Sequence, residues 1–337
     1  MEKKQYTSQI AEEFADEIKK QIRRTKINNY TPVAILFVLI FIFSITAPGF
    51  ISFHNVTNIL NQLSVPLLMT MGLTFVIMLG SIDLSGEGLA GFAGCLVSLL
   101  VLNSNNLNDF GVYAFFIAAI CGIFVGAISG IIHVKGKMPS FIVTFAVSSI
   151  MAGIAVLSYR GQPAMVTDPM FRTISAGNLF GIPFLTILAL IVFAISFVLQ
   201  YYTRFGAYVI AIGDNEASVR NAGVNVDWVK IRVFMWVGFC IALAGIVSII
   251  RVSRGEIGLG TDTVFPAITA VVVGGTALTG GRGGVLNSFI GALMVTVINN
   301  GLILLGVDML IRTALQGVII IIAVALSVPR GKKIIVK

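Results

Sequence analysis

Charge is scarce in this sequence. Asp, Glu, Lys and Arg together make up only 11% of 337 residues, against 57% hydrophobic, where an ordinary soluble domain carries about 25% charge. A water-soluble fold could not hide that much apolar surface, so the chain reads as an all-α polytopic membrane protein. Histidine is scarcer still, with only His54 and His133. They form no HExxH or paired pattern, which argues against a metal centre or a Ser-His-acid hydrolase. Cys95, Cys121 and Cys240 each lie inside an apolar run without CxxC spacing. They read as small buried hydrophobes rather than as disulfide partners or metal ligands. Glycine is plentiful, yet the richest stretch, GGTALTGGRGG (274–284), lacks the Gly-Lys-Ser/Thr of a phosphate-binding loop. The chain is therefore expected to hold no ATPase site, metal or cofactor of its own. The net charge of +8 is spread over the ends of the apolar runs instead of forming a stripe, so nucleic acid is not an expected partner.

Ten apolar segments are present, at about 32–48, 60–80, 86–102, 110–132, 139–158, 182–200, 231–250, 264–280, 285–305 and 309–328. Several fall short of the roughly 20 residues that a straight span requires. The second contains Pro66, and the pair 264–280 and 285–305 is broken by the glycine-rich stretch. Such breaks survive in a membrane only where protein or an aqueous cavity covers the freed backbone. With ten spans and a cytoplasmic N-terminus, 18 of the 23 Lys and Arg fall inside, leaving Arg160, Arg172, Arg251, Arg254 and Arg312 outside. The positive-inside rule thus puts both termini in the cytoplasm. The expected organisation is an amphipathic N-terminal segment 1–30, a polytopic transmembrane core 31–330 with a cytoplasmic loop at about 201–231, and a tail 331–337. In the first segment Ile10, Phe14, Ile18 and Ile22 recur a turn apart, followed by Lys19, Lys20, Arg23, Arg24 and Lys26. Two readings fit: a helix lying on anionic membrane lipid, or a solvated helix whose charges enforce topology. The first span starts only after these thirty or so residues, so no cleavable signal peptide is expected.

The polar insert Arg204–Arg232, RFGAYVIAIGDNEASVRNAGVNVDWVKIR, interrupts this pattern. Its grammar predicts a helix of about 8 residues, roughly 12 Å long. Asp214 is the expected N-cap, Glu216 sits in the first turn, Gly223 takes the left-handed stop, and Asn225 caps the next span. The spacing puts Glu216, Val219, Arg220 and Gly223 on one face. Elsewhere Gly122, Gly126 and Gly130 form a ladder that lets two helices approach closely. The stretch Val76–Gly88 can be laid on Val271–Gly283, as a parallel duplication would require, which sets Glu87 opposite Arg282. Polar groups inside the apolar runs are candidates either for a solute path or for interhelical glue: Ser148, Ser149, Asn287, Asn299, Asn300 and Gln316.

Four stretches carry a family resemblance: TFVIMLGSIDLSGEG (74–88), KGKMPSFIVTFAVSSIMAGIAVLSYRGQP (135–163), AIGDNEASVRNAGVNVDWVKIRVF (211–234) and AITAVVVGGTALTGGRGGVLNSFIGALMVTVINNGLILLGV (267–307). In this order they resemble the permease subunits of bacterial ABC importers of the ribose or simple-sugar type, relatives of branched-chain amino acid permeases. The resemblance spans roughly 32–330. It implies two permease copies, identical or different, in the bacterial cytoplasmic membrane. Two cytoplasmic ATPases would supply ATP and Mg, and a substrate-binding protein would dock outside, facing the long loop at about 159–181. It further implies that the insert is a coupling helix seated in the ATPase, with Asp214, Asn215, Glu216, Ala217, Val219, Arg220 and Gly223 at the contact. Movement would then pass through the glycine elbow into the span starting near Lys230. Related permeases carry pentoses, hexoses, inositols, autoinducer sugars or nucleosides, and the absence of a ring of charge suits a neutral, hydroxyl-rich solute.

The chain departs from the family pattern after Asp83-Leu84-Ser85, where Gly86-Glu87-Gly88 replaces the usual Val-Gly-Ser. An acid entering a span is expensive and by default functional or paired. Glu87 is expected either to pair with Arg282 or to face water at the cytoplasmic interface. Asp83, with Ser85 beside it, is expected to cap the next span in preference to touching solute. A proton-coupled secondary carrier would also show broken glycine-rich helices and acids such as Asp83 and Glu87, but it needs no capped cytoplasmic helix.

Overall fold

In lipid the backbone has no water to bond, so apolar runs satisfy their own amides by becoming helices. A computed structural model describes residues 31–160 and 162–327. The N-terminal segment 1–30 and the tail 331–337 lie outside the described residues. Twelve helices occur among those described: α1 (Thr31–Thr46), α2 (Phe53–Met78), α3 (Gly86–Leu100), α4 (Tyr113–Lys135), α5 (Ser140–Tyr159), α6 (Pro169–Ala176), α7 (Phe184–Tyr201), α8 (Arg204–Asn221), α9 (Val226–Val252), α10 (Val264–Val273), α11 (Val285–Leu304) and α12 (Met309–Ser327). Four two-residue strands add two small ladders. In one, β1 (Ala164–Met165) pairs antiparallel with β4 (Arg254–Gly255); in the other, β2 (Asn178–Leu179) pairs with β3 (Ile182–Pro183).

Each of the ten apolar segments coincides with a helix. Six of these helices are long and apolar enough to cross a bilayer, while α1, α3, α10 and α12 are shorter apolar helices. The two additional helices are α6, in the long loop, and α8, in the polar insert.

Two long helices form the axis. In α2 and α9, 26 and 27 residues long, 78% and 83% of the most apolar window is buried, against 28% in α5. They pack antiparallel, with Gly72 against Val237 and Cys240. The glycine ladder of α4 meets α9: Gly122 and Gly126 touch the Gly238 and Phe234 backbones, and Gly130 lies on Ile231. The close approach expected of Gly122, Gly126 and Gly130 is thus made, backbone to backbone, with Gly238 contributing from the other side.

The element order repeats, in a different alignment from the one the sequence suggests. After α2 come a non-helical stretch 79–85, the short α3, then α4 and α5. After α9 come a stretch 253–263 that holds β4 and one 3-10 turn (Ile257–Gly260), the short α10, then α11 and α12. Because α2 and α9 are antiparallel, the two halves are inverted. They also interlock, since α3 and α4 pack on α9 whereas α10 and α11 pack on α2. The overlay of Val76–Gly88 on Val271–Gly283 would set the end of a 26-residue helix on a ten-residue one and is replaced by this inverted correspondence.

Both short helices are completed by chain outside the α-helices, extended before α3 and partly a 3-10 turn before α10. Stretch 79–85 climbs along α5, where Ser140 Oγ accepts from Ile82 N (3.0 Å), Thr144 Oγ1 from Leu84 N (2.9 Å) and Ser148 Oγ from Gly88 N (3.0 Å). The match is geometric. Four helical residues rise about 6 Å and two extended residues about 6.6 Å, so Ser140 and Thr144, one turn apart, meet alternate amides, and Ser148 a turn further meets the first turn of α3. From the opposite end, 254–263 descends along α3, with Gly255 on Ser98, Gly91 on Ile257 and Gly260 on the Glu87 carbonyl. The two paths meet about halfway along α5, where the first residue of α3, Gly86, lies on the Val264 side chain that opens α10. At ten residues α10 is about 15 Å long, half of a roughly 30 Å hydrocarbon layer.

Candidate functional site

The polar insert folds as two helical pieces. Thr203 caps the first by accepting from Gly206 N, and Val209 and Ile212 bury its inner face. Phe205 stacks on Phe75 with ring centroids 5.8 Å apart. The helix breaks at Asn215, where φ is −152° and ψ 93°. Asn215 Oδ1 then accepts from Ser218 N at 3.1 Å, which starts the second piece. The cap is therefore Asn215, one residue later than the expected Asp214, because the break releases Asn215 and not Asp214 from helical geometry. Gly223 ends the second piece at φ +83°, with Gly223 N donating to Arg220 O (3.0 Å) and Val224 N to Val219 O (3.4 Å). This is the expected left-handed stop. Asn225 Oδ1 accepts from Trp228 N at 3.1 Å and opens α9, as the sequence indicates.

Two ion pairs clasp the short helix to α9, and a third, within the helix, joins them. Glu216 binds Lys230 Nζ at 2.7 Å and Arg220 Nη2 at 3.1 Å, and Arg220 reaches Asp227 at 2.8 Å. Partial burial works to raise the Glu216 carboxyl. The hydrogen bonds and charges of Lys230 and Arg220 together outweigh it and hold the group below the usual carboxylate range. The face expected to point outward is only partly exposed. Val219 packs against the core and Glu216 is half-buried in its clasp, while Ala217, Ser218, Asn221 and Ala222 stand in the open.

Beneath this helix, main chain meets main chain. Gly213 packs so closely that a Cβ there would overlap the Met78 carbonyl oxygen and the Gly281 amide nitrogen. Gly281 N donates to Met78 O at 2.9 Å, and a Cβ at Gly281 would lie 2.9 Å from Asp214 Cα. A Cβ at Gly280 would fall 2.7 Å from Gly80 N and 3.1 Å from Gly213 Cα. The end of α2, the glycine-rich loop and the insert thus touch with no side chain between them. Gln200 braces the loop from α7, its Oε1 accepting from Val285 N at 2.6 Å to cap α11. Sequence reading missed Gln200, whose only signal is a polar residue at the end of an apolar run.

The polar residues within the apolar segments do not converge. Asp83 is buried, and its Oδ1 accepts from Ser85 N (2.7 Å) and Ser85 Oγ (2.6 Å), which builds the turn before α3; the expected cap is not made, because Ser85 stands at the N-cap without a side-chain capping bond and the Asp83 carboxylate reaches no amide of the helix. Ser148 anchors Gly88, and the exposed Ser149 donates to Phe145 O of its own helix. Asn300 exchanges two hydrogen bonds with Asn55, and Asn299 Oδ1 accepts from Arg312 Nη1 at 3.3 Å. Gln316 lines a small cleft with Pro266, Thr269, Val295, Ile298 and Ile319, and Asn287 lies beside Gly275. Glu87 does not pair with Arg282. Its carboxylate lies against the backbone amide and carboxylate of Asp262, while Arg282 sits in the glycine-rich loop and accepts from Ala277 N through its own carbonyl. The cause is the extended stretch 79–85, which carries Glu87 halfway up α5 and away from that loop.

Comparison with known proteins agrees with this architecture. Residues 55–324 match the family described as branched-chain amino acid transport system, permease component. The ribose import permease protein RbsC of Escherichia coli (strain K12) is 35% identical over 293 residues, covering 86% of this chain and 90% of that protein. RbsC of Bacillus subtilis (strain 168) is 35% identical over 294 residues, 87% of this chain and 90% of its own. The D-allose transport system permease protein AlsC of Escherichia coli (strain K12) is 33% identical over 308 residues, 89% and 91%. No solved structure matches. With most of its length matched both by the family and by these relatives, the chain belongs to the branched-chain amino acid transport system permease family, as a permease subunit of the ABC importer type.

Proposed function

We propose that this chain forms the membrane path of an ATP-driven importer for a sugar or sugar-like solute. It crosses the bacterial cytoplasmic membrane ten times with both termini inside. ATP and Mg belong to a separate cytoplasmic ATPase, and an external binding protein delivers solute at the end carrying β1, β4 and α6. A second permease copy completes the path. The observation that carries this reading is the second piece of α8. It is a short helix capped at both ends, clasped to α9 by Glu216, Arg220, Lys230 and Asp227, with Ala217, Ser218, Asn221 and Ala222 exposed and unoccupied by any other part of the described chain. A proton-driven carrier needs no such knob. The solute class rests on the relatives, whose names specify ribose, D-allose and galactose or methyl galactoside import.

The test is ATP hydrolysis in nanodiscs holding the permease with its ATPase and binding protein, with ribose, D-allose and galactose supplied in turn. One loaded binding protein should stimulate hydrolysis. Gly223→Val should abolish the stimulation, because a β-branched residue at φ +83° is strained by about 1–2 kcal/mol or more and the elbow must deform. Full stimulation in Gly223→Val would remove the coupling role of the elbow. Proton-driven uptake without any ATPase would remove the importer reading altogether.

A further inference from the structure

We propose that the contact at Gly213 drives both half-length helices at once, through a joint made only of main chain. This rests on the reading that the ATPase seats on α8. It differs from the route that the sequence suggests, in which motion passes through Gly223 into α9.

Three observations place the joint. Gly213 is the last-but-one residue before the break at Asn215, so the first piece of α8 ends directly on Met78 and Gly281. Gly80 packs on Thr279 and Gly280, so the start of the stretch leading to α3 and the loop trailing α10 touch each other as well as α8. Beyond the joint, the chain from Gly80 is fixed to α5 by Ser140, Thr144 and Ser148 up to the first turn of α3. Gly274, the C-cap of α10, lies only a few residues before Thr279. A displacement at Gly213 therefore enters two arms, one rising to α3 and one to α10. The two arms meet again where Gly86 lies on Val264 and Gly260 on Glu87.

Main chain suits this task. Side-chain contacts absorb a push by changing rotamers, whereas packed backbones shift as rigid bodies between discrete arrangements. The joint is also asymmetric with respect to α9. The clasp of Glu216 and Arg220 ties the second piece of α8 to α9 through flexible side chains, while the first piece meets the two arms without any. The stiffer connection runs to α3 and α10.

Gly213→Ala tests the joint, in the full importer with ATPase and binding protein. The control is Gly153→Ala, where a Cβ meets nothing within 4 Å. Uptake is read with whichever of ribose, D-allose or galactose stimulates the wild-type complex. The expected result is normal ATPase co-purification and ATP hydrolysis within about twofold of wild type, with solute carried per ATP lower by about tenfold or more. Unchanged transport per ATP would overturn the proposal. Loss of ATPase binding in step with uptake would also overturn it, by placing the damage at the docking surface; failure of the wild-type complex to assemble would instead sink the docking reading. Should Gly213→Ala not fold, hydrogen exchange on the wild-type complex decides, with and without ATP and vanadate. Trapping should change exchange at the Ile82, Leu84 and Gly281 amides together. A change confined to the start of α9 would overturn the joint.

Discussion

Asn55 and Asn300, 245 residues apart, exchange hydrogen bonds of 2.9 and 3.0 Å with both side chains buried. Removing Asn300 leaves Asn55 Oδ1 without its partner, although Asn55 Nδ2 keeps the Phe50 carbonyl at 2.9 Å; an unmet buried group costs roughly 1–3 kcal/mol in a dry interior. Pairs inside membranes average nearer 0.6 kcal/mol, because the unfolded state also finds partners. Asn300→Leu should therefore lower stability in detergent by about 1 kcal/mol, and Asn55→Leu added to it should restore part of that loss. Thermal unfolding of the two single variants and the double variant measures it. Transport per folded molecule should not change; altered sugar selectivity would return Asn300 to the solute path. The sequence left this residue open between path and glue because an amide in an apolar run signals both, and its partner is too distant in sequence to see. Local signals were more legible. Gly223 and Asn225 carry conformations and caps that depend on their immediate neighbours, and both took the expected roles. Asp214 and Asn215 are both good caps, and only the tertiary seat of Gly213 decides between them.

Among the elements, α4 and α9 approach closely along a whole face, with Gly122, Gly126 and Gly238 leaving no room for a side chain. Gly126→Leu must push α9 away at Phe234 or turn α4 about its axis. We expect a loss of about 1–3 kcal/mol or more, the range for overpacking, visible as a lower unfolding temperature. Gly317→Ala on α12, where a Cβ would meet nothing within 4 Å, should leave that temperature unchanged. Equal behaviour of the two variants would mean that α4 and α9 do not hold this spacing in the membrane. The ladder was readable from its four-residue period. The half-length helices were not, because an apolar window registers α3 and α10 but not the chain outside the α-helices that completes each passage. Stretch 79–85 holds Gly80, Ser81, Asp83 and Ser85, and stretch 253–263 holds four charged or glycine residues in its first six. To a hydropathy scan both are loops. The first helical piece of α8 escaped for a related reason: Arg204–Asp214 is mainly apolar but too short for a span and closed by a charge at each end, and its helicity comes from packing Val209 and Ile212 inward.

At the scale of the whole molecule, the inverted halves put unlike chemistry at the two ends. One end carries α8, the glycine-rich loop and Lys135, Lys137 and Arg282; the other carries β1, β4, α6 and Arg160, Arg172 and Arg254. With Cys95, Cys121 and Cys240 replaced, Ser218→Cys should react in intact cells only with a membrane-permeant thiol reagent, and Asn108→Cys with an impermeant one. The reverse pattern would invert the topology, and labelling of both by the impermeant reagent would reject it. The overlay of Val76–Gly88 on Val271–Gly283 found two glycine-rich segments that are in fact neighbours, since Gly80 rests on Thr279 and Gly280. Similar composition there goes with a shared contact. That contact also bears on how the protein can vary. A junction of side chains can be improved by small steps, each substitution adjusting length or charge. A junction of Gly80, Gly213, Gly280 and Gly281 offers no such gradations, since every substitution adds a carbon where none fits or strains a positive φ. Directed evolution toward a new ATPase or a faster cycle should therefore collect its changes on the outward residues of α8, Ala217, Ser218 and Asn221, and leave the four glycines untouched.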